Sequence, residues 1–164
     1  MKILVRRETA MSFACYDRSC APPPVGHGGS SKPHIKAHKA AGAILSKASP
    51  VAPSITRDVQ GVIKRNGGEM VGLEHQLKGL PSLRRKIHDK AQTRGQTIEE
   101  SASKVTDAIR YTGVVPTAKY GKAVKEIQES LKKKGYEVFD VENHWARGDA
   151  YNGVHMLAKH PSGA

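Results

Sequence analysis

Residues 107–142 constrain this chain more than any other part of it. An extended run, Asp107 to Val115, carries Ile109, Tyr111 and the pair Val114-Val115 and stops at Pro116. Thr117 can then cap a long helix to about Lys134, whose apolar positions Tyr120, Val124, Ile127 and Leu131 fall at spacings of four, three and four. Gly135 ends it, and Tyr136, Val138 and Asp140 alternate with Glu137, Phe139 and Val141. Strand, helix, strand in this order is a crossover unit, so the two strands are expected as parallel neighbours joined right-handedly. A turn at Arg147-Gly148-Asp149 leads to a last strand, about 151–158, returning antiparallel. The expected fold class is α/β (α+β): a small mixed sheet with helices on at least one face.

Upstream, order is expected to begin near Ser54, which can cap a helix to about Arg65 bearing Ile55, Val59, Val62 and Ile63. Asn66-Gly67-Gly68 stops it. A second helix is read over about 69–78 and a third from Pro81 to about Thr93. Thr97-Ile98-Glu99-Glu100 has the form of a capping box opening a short helix, about 97–104. Residues 1–53 show no sustained period. Ala21-Pro22-Pro23-Pro24, a Gly/Ser/His run and Lys32, Lys36 and Lys39 mark them as a disordered basic arm with one short helix at 37–47. The division expected is thus an arm, 1–53, and a folded domain, 54–164. Met11 is an alternative start.

A formal charge of +12 implies an anionic partner: nucleotide, nucleic acid or an acidic protein. Only 5% aromatic residues weigh against a base-stacking single-strand binder. No apolar stretch approaches the length of a membrane span, and the short patch at Ile3-Leu4-Val5 is too brief for a signal core, so a cytoplasmic protein is expected. Cys15, Cys20, His27, His34 and His38 can be read as zinc ligands, although a polar leader accounts for them as well.

Three groups carry chemistry. Lys78, Ser82, Lys86 and Lys90 recur every four residues, with Arg84 and Arg85 beside them, at the start of the third helix. That start offers N–H groups and a positive dipole end, which suit phosphate; a solvated basic helix is the plainer reading. Asp107 can hold Mg²⁺ or simply pair with Arg110. Tyr151, Gly153 and His155 alternate along the last strand, where a ring, a gap and an imidazole can wall a flat base, with Trp145 closing it.

Taken together, residues 69–160 resemble the synthetase domain of the RelA/SpoT family, especially its small, divergent phage and toxin members. Gln76-Leu77-Lys78, Ser82 and Lys86 align with the family's Arg-x-Lys, Ser, Lys stretch. Asp107 aligns with its metal Asp, and Ala150-Tyr151-Asn152-Gly153-Val154-His155 with Gly-Tyr-x-Ser-x-His. The resemblance implies a nucleotidyltransferase-like fold and a pyrophosphokinase that moves the β,γ-diphosphate of ATP onto the 3′-hydroxyl of GDP or GTP, of an adenine nucleotide, or of tRNA. It implies that Lys78, Ser82, Arg85 and Lys86 hold ATP phosphates and that Asp107 holds Mg²⁺. Tyr151 and His155 would receive the acceptor nucleotide, and an antitoxin would be a partner. Gln76 stands where the family has Arg. Arg110 follows Asp107 by three residues instead of the family's five, and the family's Glu-x-Gln strand is missing, since Ser162-Gly163-Ala164 stand where it should begin. By the resemblance the domain is expected to be incomplete at its C-terminal end and to lack the catalytic Glu. A catalytically dead nucleotide binder and a basic phage structural or nucleic-acid-associated protein are the competing readings.

Overall fold

Ile3 and Val5 are fully buried and alternate with Lys2, Leu4 and Arg6, so Lys2–Arg7 (β1) is a strand with one covered and one more open face. The computed structural model describes residues 1–7, 32–147 and 153–162. In it β1 is the middle strand of a five-stranded sheet. The other strands are Glu69–Val71 (β2), Arg110–Val115 (β3), Glu137–Asn143 (β4) and Val154–Lys159 (β5), in the order β2-β3-β1-β5-β4. β1 runs parallel to β3, with Ile3 opposite Tyr111, and antiparallel to β5, with Ile3 opposite Met156. β2 and β4 form the antiparallel outer pairs.

The molecule is therefore a mixed α+β structure with flanking helices, as expected, but its centre lies where an arm was expected. Residues 2–7 are core sheet and residues 32–53 are helix, so the boundary placed at residue 53 falls inside one element. Residues 8–31, which hold Met11, Cys15, Cys20 and His27, lie outside the described residues. β3 and β4 are not neighbours either, because β1 and β5 stand between them. β1, from the amino terminus, takes the place beside β3 that the strand–helix–strand pattern alone would give to β4.

Lys32–Arg65 (α1) contains Pro50 and Pro53. Each proline lacks an N–H and normally stops a helix, which is why the sequence suggests two short helices there. Tertiary packing joins them. The first half buries Ala37 and Ala41 against Leu83, Ile87 and Ile98 from Leu80–Arg94 (α2) and Ile98–Ser103 (α3). The second half lays Ile55, Val59, Val62 and Ile63 on the sheet. Ser54 is not a cap; its hydroxyl donates to the Val51 carbonyl at 2.8 Å. At Gly113 a Cβ would lie 2.6 Å from Ile63 Cδ1, so the helix rests directly on β3.

Tyr120–Lys133 (α4) behaves as its spacing predicts, burying Tyr120, Val124, Ile127 and Leu131 on the same side as α1. The Thr97 capping box is present, with Glu100 N–H donating to Thr97 Oγ1 and Thr97 N–H to Glu100 Oε2. The helix expected over 69–78 is instead β2 followed by a 3₁₀ turn, Leu73–His75. Gly72 adopts a left-handed φ of 67°, and Met70 pairs with Gly113, so sheet edge outcompetes helical spacing. Among the described residues no helix is long and apolar enough to cross a membrane.

If β1 is the centre of the sheet, Ile3→Ala costs about 2–5 kcal/mol, read by urea denaturation. Deleting residues 1–7 abolishes the cooperative transition. A dispensable arm would give no change in either.

Candidate functional site

Asp107 lies in the segment between α3 and β3, three residues before the strand it was expected to open. Its position is set by the backbone. Lys78 N–H donates to the Ala108 carbonyl and Arg110 N–H to the Gln76 carbonyl, both at 2.9 Å, while Leu77 bridges Ile109. This short antiparallel clamp brings Lys78 alongside Asp107. Lys86 arrives from α2, whose first turn holds Pro81 as expected and starts from an extended Gly79.

Lys78 Nζ donates to Asp107 Oδ2 at 3.1 Å, and Lys86 Nζ donates to Oδ1. The three side chains are only 16–24% exposed. Burial pushes the Asp107 carboxyl up, but the hydrogen bond and charge of Lys86, then those of Lys78, outweigh it and hold the group down at about 2. Lys90, one turn beyond Lys86, is pushed down by burial and by the neighbouring charges of Lys86 and Arg94.

Two hollows meet at Lys86. One is lined by Lys78, Ser82, Arg85, Lys86, Asp89 and Arg110, four cations against one carboxylate. The other is lined by Lys86, Asp107, Lys2, Asp140, Glu142 and His155. The structure thus brings together Lys78, Ser82, Arg85, Lys86, Asp107 and His155. Burial, then the charges of Lys2 and His144, push the His155 imidazole down to about 4, with Glu142 acting in the opposite direction. Tyr151 lies outside the described residues.

Other expectations are corrected. Gly153 leaves no gap for a base: a Cβ there would lie 2.7 Å from both Leu4 Cδ1 and the Val5 carbonyl oxygen. Trp145 does not close a pocket. Its Nε1 donates to Tyr120 Oη at 3.1 Å, and the Arg7 guanidinium sits 4.4 Å from its ring. Gln76 turns away from the phosphate-type hollow, accepting from Thr56 Oγ1 at 2.6 Å. Arg110 supplies a guanidinium to that hollow instead, while its Nε donates to the His75 carbonyl at 3.1 Å.

Lys2 and Glu142 were not anticipated as site residues. Lys2 was missed with the strand that carries it. Glu142 carries a signal: it is directly opposite His155 across β4 and β5, and opposed residues share a face. The bulge near Asp140, whose φ is 50°, hid that register from simple alternation.

No protein-family model, curated protein or solved structure matches this chain.

Because the folded Asp107 carboxyl is held below its ordinary value of 3.8, at about 2, its stabilisation is present above pH 4. It is lost as pH falls through about 2. Asp107→Asn destabilises at pH 7 by on the order of 2 kcal/mol, by chemical denaturation, and the gap from wild type narrows between pH 4 and pH 2.

Proposed function

We propose that this protein is a RelA/SpoT-like nucleotide pyrophosphokinase, passing diphosphate from ATP to the 3′-hydroxyl of a guanine or adenine nucleotide or of tRNA. The observation that supports this reading best is the position of Asp107. It is gripped by two lysines at the junction of a cationic hollow and a second hollow containing His155.

In this reading the ATP phosphates enter the first hollow. Lys78, Ser82, Arg85, Lys86 and Arg110 then bind them and offset the charge that builds on the transferred group. The two lysines turn from Asp107 to phosphate, a stronger partner because it carries more charge. That exchange frees both carboxylate oxygens. A single carboxylate completed by phosphate oxygens and water is an ordinary Mg²⁺ environment, so Asp107 fits the role of ligand. Asp107 would hold Mg²⁺ there, and the ion would supply neutralisation of phosphate charge. The acceptor occupies the second hollow near His155, with Tyr151 assigned to its base by the resemblance alone. The acceptor 3′-hydroxyl oxygen forms a bond to the β-phosphorus of ATP as its proton passes to solvent water, the bond from that phosphorus to the bridging oxygen of AMP breaks, and AMP leaves. Positioning supplies most of the rate in such a transfer.

Purified full-length protein with labelled ATP, Mg²⁺ and GDP, GTP, AMP-type acceptors or tRNA tests this. The expected product carries a 3′-diphosphate, and Lys86→Ala lowers kcat by roughly 100-fold or more. ATP binding without product on any acceptor would leave a nucleotide-binding module. No ATP binding at all would end the reading.

A further inference from the structure

At the far wall of the second hollow, β4 and β5 bring three metal-type donors together. Glu142 and His155 are paired directly across the strands, so their side chains leave the sheet on one face. His144 follows β4 immediately and is fixed by its own N–H, which donates to the Gly153 carbonyl at 3.0 Å. One donor atom from each residue lies within 4.8 Å of the other two. His144 Nε2 is 3.0 Å from Glu142 Oε2, and the two imidazole centroids are 4.2 Å apart. His155 Nε2 is shielded from solvent. Lys2, Lys86, Asp107 and Asp140 face the same hollow from the other elements around it.

From this convergence we infer a transition-metal site of the zinc type, with Glu142, His144 and His155 as its protein ligands. Two imidazoles and one carboxylate match zinc better than magnesium or calcium, which favour oxygen donors. Tetrahedral coordination with metal–donor bonds of about 2.0–2.2 Å needs donors spaced by roughly 3.5 Å. One pair, His144 Nε2 and Glu142 Oε2, is 3.0 Å apart and no pair of donor atoms is separated by more than 4.8 Å, so side-chain rotations suffice to close the site without moving either strand. Because Glu142 and His155 also line the hollow, the fourth position faces it and is open to water or an anionic group. This inference does not rest on the nucleotide reading. Zinc binding and diphosphate transfer are measured separately, and either can fail alone.

The test uses chelator-stripped full-length protein at pH 7.5. Zn²⁺ binding is followed by calorimetry and equilibrium dialysis, and Co²⁺ coordination by its visible absorption. One equivalent is expected to bind with micromolar or tighter Kd and to raise Tm. His144→Ala and His155→Ala each weaken binding at least 100-fold, while Glu142→Gln, the conservative variant, weakens it less. Circular dichroism establishes that the variants fold. The Cys15→Ser/Cys20→Ser double variant is expected to bind as wild type. Absence of zinc uptake by wild type overturns the site, as does uptake that survives both histidine substitutions. Uptake lost with the two cysteines assigns the metal elsewhere and also overturns it.

Discussion

The sheet depends on β1. Its backbone pairs with β3 on one side and β5 on the other, so without it the strands fall into two separate antiparallel pairs, β2-β3 and β5-β4. Isolated two-stranded ribbons are marginal in water. β1 also fills the core from the middle: Ile3 and Val5 are both fully buried beneath the helices. Tyr120 Oη donates to the Val5 carbonyl at 2.9 Å and accepts from Trp145, while Arg7 stacks over both rings. One short strand thus anchors the start of α4 and the turn after β4 at the same end of the sheet.

From the opposite end of β1 the candidate site opens. Lys2 projects on the face away from the main core and reaches the hollow shared by Asp107, Glu142 and His155. Two lysines clamp one carboxylate there, leaving the trio with a surplus positive charge, and Arg85 and Arg110 add more nearby. A partly buried excess of cations is costly unless an anion offsets it. The same electrostatic imbalance makes this wall attractive to anions. β4 and β5 contribute donors of a different chemistry, imidazole and carboxylate, on the other side of that hollow.

Much of the carboxy-terminal half was legible in the sequence. The α4 face, the capping box at Thr97, the Pro81 start of α2 and the antiparallel return of β5 on β4 all follow from local spacing, and all are present. Lys78, Ser82, Arg85, Lys86 and Asp107 were likewise named from pattern and do converge. Residues 2–7 and 32–53 were misread for physical reasons. KILVRR is short and ends in two charges, so nothing local says that it will be sandwiched between strands more than a hundred residues away. Pro50 and Pro53 argue against a continuous helix until packing on both the sheet and α2 outweighs their lost hydrogen bonds.

Local sequence determined which segments are helical or extended over 80–160 and which side chains there are basic, acidic or apolar, because periodicity and capping act within a few residues. Only the tertiary structure decided the strand order, the orientation of Gln76 away from the hollow, the substitution of Arg110 for it, and the meeting of Glu142 with His144 and His155. Those outcomes depend on pairing register and on contacts distant in sequence, and a one-residue shift in register carries a side chain to the opposite face of a sheet.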